Sequence, residues 1–209
     1  MRPLPRLLAF TDGSVRTSHH LGASAAAIAS LGPAVALVAR DPAASASDLS
    51  TFTVRLLAIA HPAEAAVIVS ARPDIAASLG ADGVQLRAGD LAPGDARQVL
   101  PTGWIGRSVH TASEAVDAVA AGADYLVAGN IWQTPTHPDR PGIGLGLIET
   151  LASLGRPVIA IGGITADRAR EVHAAGGYGI AAIRALWSAR DPAAAAAALL
   201  EAWTTSTEY

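Results

Sequence analysis

The chain from Gly129 to Gly144 reads GNIWQTPTHPDRPGIG and gathers hydroxyls, prolines and glycines into one loop. Thr134 and Thr136 offer hydroxyl groups, and Pro135 between them stiffens the segment. Gly142 and Gly144 let backbone amides approach an anion. Loops of this length inside a compact domain are commonly functional, the other reading being a surface excursion. A second candidate is Ile161-Gly162-Gly163-Ile164-Thr165, where two glycines end a β-like run and open a helix. Amides at a helix start point outward and the dipole favours negative charge there, so Gly162 and Gly163 form a candidate phosphate site. Such a pair also serves close packing. Ile183 and Arg184 end the last β-like run and bring an arginine toward the same pocket. A third run ends in Ser108-Val109-His110. Alternation along a strand turns Ser108 to the mouth of the fold. His110 is either an acid or base near neutral pH or a donor to a backbone carbonyl that orients its loop. No His, Asp or Glu spacing demands a metal.

Composition removes several classes of function. The 209 residues are 51% hydrophobic and carry a formal net charge of −3, which argues against nucleic acid and membrane surfaces as partners. Aromatic residues make up 4%, too few for a stacking platform. There is no cysteine, so disulfides, thiolate metal sites and thiol nucleophiles are excluded. All fifteen basic residues are arginine. The missing lysine excludes Schiff-base chemistry and a P-loop. The apolar start is too short for a signal h-region or a membrane span, so the cytoplasm is the expected location.

These residues need a scaffold that collects them. Short apolar runs at Leu7–Phe10, Ala34–Val38, Ala66–Val69, Gly83–Leu86, Trp104–Ser108, Tyr125–Ala128, Val158–Ile161 and Gly179–Ile183 alternate with alanine-rich helical stretches. Thr111, Thr165 and Asp191 have the form of helix entry residues, and Gly80, Gly122 and Gly176 the form of helix ends. Runs that are apolar throughout suit parallel strands buried on both faces. Eight such units close most naturally as a single (β/α)8 TIM barrel over residues 1–209. A doubly wound open sheet is the alternative, though TDGSVRTS after the first run lacks its glycine fingerprint. In a barrel, the working residues stand where strands end.

The segments ADGVQL, GRSVHTASEA, GADYLVAGNIWQTPTHPD, GLGL, PVIAIGGITADRAREV and GIAAI, in this order, resemble the thiamine phosphate synthase/TenI superfamily. The resemblance implies a (β/α)8 barrel and a small phosphorylated heterocycle, a thiazole carrying an ethyl phosphate, as ligand. By the same resemblance Thr134-Pro135-Thr136 is the hydroxyl-rich motif and Gly163 the phosphate-binding glycine. Ile183-Arg184 departs from a small pair ending in serine.

The superfamily has two branches. A synthase branch joins the thiazole phosphate to a pyrimidine diphosphate with Mg²⁺, and a TenI branch isomerises a carboxythiazole phosphate without metal. The synthase pattern Gln-x-Arg-x-Lys is matched here by Ala36, Val38 and Arg40. Its Asn-Asp pair is matched by Ser70-Ala71, its second metal aspartate by Asp90, and its later lysine by His137. GVQL and GRSVH are closer to the TenI branch, whose catalytic histidine position is Asn130 here. The expectation drawn from these positions is a thiazole tautomerase of low activity that needs no cofactor. Ser108, Asn130, Thr134 and Thr136 would hold the heterocycle, and Gly163 with Arg184 the phosphate. His137 or His110 would move the proton. The alternatives are a synthase with a diphosphate site rebuilt from Arg40, Arg72 and Arg87, with Mg²⁺, and a non-catalytic binder. A homo-oligomer is left open.

Overall fold

The computed structural model describes residues 2–134 and 141–203. Eight strands form: β1 (Leu7–Phe10), β2 (Val35–Ala39), β3 (Ala66–Ser70), β4 (Gly83–Leu86), β5 (Trp104–Val109), β6 (Tyr125–Gly129), β7 (Val158–Ile161) and β8 (Gly179–Ala182). Each pairs in parallel with the next, and β8 returns to β1 with Ile180 opposite Leu7. The result is a closed (β/α)8 barrel, and the open-sheet alternative falls away.

Alternation along the strands sorts the side chains into two sets. Leu8, Val38, Ile68, Tyr125, Ile159 and Ala181 fill the barrel interior. Leu7, Leu37, Val67, Val84, Leu126 and Ala160 face outward into the surrounding layer of helices. The interior is a packed core and not a channel. Both sets are apolar because a parallel strand between helices and core meets no water on either face.

The helices start where their capping side chains require. Thr111, Thr165 and Asp191 each accept the amide three residues on, from Glu114, Arg168 and Ala194. Each such cap satisfies an amide that the helix itself cannot. Gly80 closes its helix with φ +68°, a conformation that glycine adopts without strain. Among the described residues no helix is long and apolar enough to cross a membrane.

β2, β3, β5 and β6 each run one residue past the sequence reading, and two further strand ends differ. β2 begins one residue later, because Pro33 sits in a 3₁₀ turn that ends at Ala34. β8 stops at Ala182, and Ile183 turns the chain into a four-residue helix, Arg184–Trp187. The Trp187 indole N–H donates to the Phe10 carbonyl at 2.7 Å and holds that helix across the end of β1. Arg184 therefore stands exposed in a helical turn and not at the end of a strand.

Packing inside the barrel leaves no room for a side chain at Gly106. A Cβ at Gly106 would lie 2.1 Å from Tyr125 Cζ and 2.3 Å from Gln85 Oε1. Both neighbours are buried. Gly106→Ala should therefore destabilise the protein by about 1–3 kcal/mol through overpacking. Thermal denaturation checks this, with a drop of several degrees expected for a chain of this size. An unchanged melting temperature would mean that the Tyr125 layer can move aside.

Candidate functional site

The C-terminal ends of the strands form a mouth with two chemically distinct halves. In the first, the loop after β6 is sewn to the end of β7. Ile131 N–H donates to the Ile161 carbonyl at 2.9 Å, and Trp132 N–H to the Gly162 carbonyl at 3.3 Å. The returning chain closes the loop base, with Ile143 N–H on the Asn130 carbonyl at 3.0 Å and Gly144 N–H on the Ile131 carbonyl at 2.9 Å.

Glycine is required at this seam. Gly162 has φ +101°, and a Cβ there would lie 2.6 Å from Asn130 Cβ. Gly163 has φ +68°, and a Cβ there would lie 2.9 Å from Trp132 Cβ. Arg168 ties the turn down: its Nη1 donates to the Gly163 carbonyl at 2.6 Å and its guanidinium lies over the Trp132 ring at 4.9 Å. The amides of Gly163 and Ile164 have no acceptor among the described residues. The helix Ala166–Ala174 starts directly beyond them. An anion at this turn would meet outward amides and the positive end of a helix dipole.

The other predicted residues of this half fall as follows. Ser108 faces the barrel interior, and its Oγ accepts from Gln85 Nε2 at 3.1 Å. Asn130 Nδ2 donates to the Trp132 carbonyl at 3.3 Å. His110 is exposed, and its Nδ1 donates to the Gly129 carbonyl. Thr134 is buried. Pro135, Thr136 and His137 lie outside the described residues.

The second half is built from three arginines. Arg40 follows β2, Arg72 follows β3 and Arg87 follows β4. They line a cleft of 160 Å³ together with Asp41, Ser70 and Ala71. Arg72 is gripped by Asp74, Nε to Oδ1 at 2.8 Å and Nη2 to Oδ2 at 2.6 Å. Arg87 is gripped by Asp90, Nη2 to Oδ1 at 2.9 Å and Nε to Oδ2 at 3.1 Å. The backbone of Arg40 is held by Thr11, whose Oγ1 accepts the Arg40 amide and donates to the Arg40 carbonyl, both at 2.9 Å. No acceptor among the described residues takes its guanidinium. Burial and the nearby charge of Arg87 lower the pKa of Arg40, against the pull of Asp12 and Asp41. A half-buried guanidinium that shares a cleft with a second positive charge is a site that an anion relieves.

A larger cavity of 430 Å³ lies at the opposite end of the barrel, between Arg6, Arg156, His173 and Trp203, away from every residue just described.

The comparisons with known proteins bear on this mouth. The family model described as "Thiamine monophosphate synthase" matches residues 7–186. The chain belongs to that family. It is 42% identical over 207 residues to a protein named thiamine-phosphate synthase from Methanoregula boonei, covering 97% of this chain and 94% of the relative. It is 44% identical over 149 residues to one of the same name from Thermus thermophilus, covering 70% of this chain and 72% of the relative. The solved thiamine phosphate pyrophosphorylase from Pyrococcus furiosus superposes with a TM-score of 0.83 at 34% identity, over 95% of each chain.

These findings correct the tautomerase expectation. Relatives this similar are synthases, which are transferases, and neither the isomerase activity nor a place in the TenI branch survives. The expectation counted lost residues position by position after β2 and β3. It gave too little weight to Arg40, Arg72 and Arg87, whose three loops converge on one cleft. Gln85 beneath Ser108, and Arg168 beneath Gly163, were not singled out from sequence. Neither carries a spacing signal of its own.

One ion pair beside the cleft, Arg16–Asp41, should be visible in titration. Arg16 Nε donates to Asp41 Oδ2 at 2.7 Å, and the Asp41 side chain is only 4% exposed. The Arg16 hydrogen bond, with the Ala43 amide, holds the Asp41 carboxyl below its ordinary range against the opposing effect of burial. A depressed carboxylate stabilises the fold above its unfolded pKa, and that contribution is lost as pH falls through the folded value. Arg16→Met should cost about 1–3 kcal/mol at pH 7. The gap from wild type should close on acidification below about pH 4. Denaturant unfolding at several pH values checks this, and a gap that stays constant with pH would refute it.

Proposed function

We propose that this protein is a transferase that joins a pyrimidine diphosphate to a thiazole phosphate and releases pyrophosphate, yielding thiamine phosphate. The observation that carries the reading is the presence on one barrel mouth of a three-arginine cleft and a separate glycine turn with outward amides. Two anionic substrates need two such places. The names of the relatives support the same reaction class.

The chemistry suits the residues present. The thiazole ring nitrogen gives its lone pair to the methylene carbon of the pyrimidine. The C–N bond forms while the C–O bond to the diphosphate breaks, and that electron pair leaves with pyrophosphate. The nitrogen becomes a ring cation and loses no proton. An imidazole at position 130 is therefore not required, and the Asn130 carboxamide suffices as a polar neighbour. What the step needs is preorganised positive charge where the leaving group gathers negative charge. Arg40, Arg72 and Arg87 would supply it. In this reading Gly162 and Gly163 hold the phosphate of the thiazole, and Thr134 and Ser108 line its ring.

Incubation with both substrates should give thiamine phosphate and pyrophosphate in equal amounts, and neither when one substrate is omitted. No product with both substrates present would overturn the reading. Arg40→Gln should reduce turnover by about 10²–10³-fold, the usual cost of removing one donor to a developing anion.

Gly163→Asp should weaken thiazole phosphate binding more than Gly163→Ala. Both variants share the backbone strain at φ +68°, and only the aspartate adds negative charge. Equal affinities in the two, measured calorimetrically, would remove the phosphate from this turn.

A further inference from the structure

We infer that the diphosphate site of this chain is a guanidinium site that works without a divalent cation. The identity of the diphosphate substrate rests on the proposed function, and the metal independence rests on the donor set of the cleft. Mg²⁺ binds through one or two carboxylates together with substrate phosphates. The residues at the mouth do not fit it. Ser70 ends β3 and Ala71 follows it, where the family resemblance implies an Asn-Asp pair with a metal-binding aspartate. Asp90 accepts from the Arg87 backbone amide at 2.7 Å as well as from its guanidinium, and its side chain is 11% exposed. Asp41 accepts from Arg16 at 2.7 Å and from the Ala43 amide at 3.0 Å. Asp12, the remaining carboxylate near Arg40, accepts from the Ser14 hydroxyl at 2.6 Å and from the Val15 amide at 3.0 Å.

The same cleft is rich in the alternative donor. The hydrogen bonds to Asp74 and Asp90 use Nε and Nη2 of Arg72 and Arg87 and leave each Nη1 unengaged among the described residues. The whole fork of Arg40 is unengaged as well. Asp74 and Asp90 fix the planes of two guanidinium groups, so their remaining N–H bonds meet an anion already oriented. Planar forks match phosphate oxygens two at a time, and always carry their charge. In the transfer step the C–O bond breaks and its electron pair stays on the departing diphosphate. The three arginines neutralise that charge, and no proton changes hands.

The experiment is calorimetric titration of the whole protein with inorganic pyrophosphate, in EDTA and in Mg²⁺, beside product formation under both conditions. Binding and turnover should both persist in EDTA. Arg40→Gln and Arg72→Gln should each weaken pyrophosphate binding in EDTA by about 10-fold or more, as loss of a charged hydrogen-bond donor does. Ala71→Asp is the converse variant. Ala71 has φ +65°, a conformation that aspartate tolerates better than most residues, so the variant should fold. It should bind pyrophosphate more weakly in EDTA and regain affinity with Mg²⁺.

Pyrophosphate that binds only with Mg²⁺, or arginine variants that bind it as well as wild type, would overturn the inference. Turnover that appears only with Mg²⁺ would overturn the inference and leave the proposed function standing. Metal-free pyrophosphate binding without product from the two substrates would do the reverse.

Discussion

Closure of eight parallel strands is the constraint on which the rest of the molecule depends. Once β8 pairs with β1, no strand has a free edge, and each lies between an apolar interior and a layer of helices. A charged side chain within such a strand would be desolvated without a partner. Polar chemistry is thereby pushed to the strand ends. Polar groups that remain in the interior are few, among them Gln85 with its hydrogen bond to Ser108 and the buried Tyr125.

That constraint explains why the mouth divides into halves with different chemistry. After β6 and β7 the chain uses backbone: four amide-to-carbonyl bonds hold the loop base, and positive-φ glycines let it pack against the next turn. An anion there meets peptide dipoles. After β2, β3 and β4 the chain uses side chains, three guanidinium groups on three successive loops. Asp74 and Asp90 keep two of them in place, and burial beside Arg87 makes Arg40 a cation in want of a counter-charge. Peptide dipoles suit a substrate that keeps its phosphate, and full charges suit a leaving group that gains charge as it departs.

The chain contains no lysine, and every cation in the mouth is therefore an arginine. Two of these guanidinium groups, those of Arg72 and Arg87, are fixed by their own carboxylate partners. A cationic cleft can then be assembled from positions that do not match a family pattern residue for residue. The tautomerase expectation failed at this point. Ser70 and Ala71 are real departures, but charge in a cleft is a property of the space and not of any one position.

The residue order by itself determined the barrel. Eight apolar runs of strand length, each followed by a helix with its capping residue, leave little other way to bury both faces of every strand. It also located the Gly162-Gly163 turn and the long loop after β6, because glycine and proline carry local conformational meaning wherever they stand. The side-chain convergence needed the tertiary structure. Arg40, Arg72 and Arg87 are separated by 32 and 15 positions, and no local rule relates residues at those distances. Barrel closure brings the ends of β2, β3 and β4 side by side, and with them three charges whose meaning depends on their shared cleft. Arg184 and His110 were likewise decided in three dimensions. A short helix carries Arg184 off the strand, and the Gly129 carbonyl engages the His110 ring, both through contacts with residues remote in sequence.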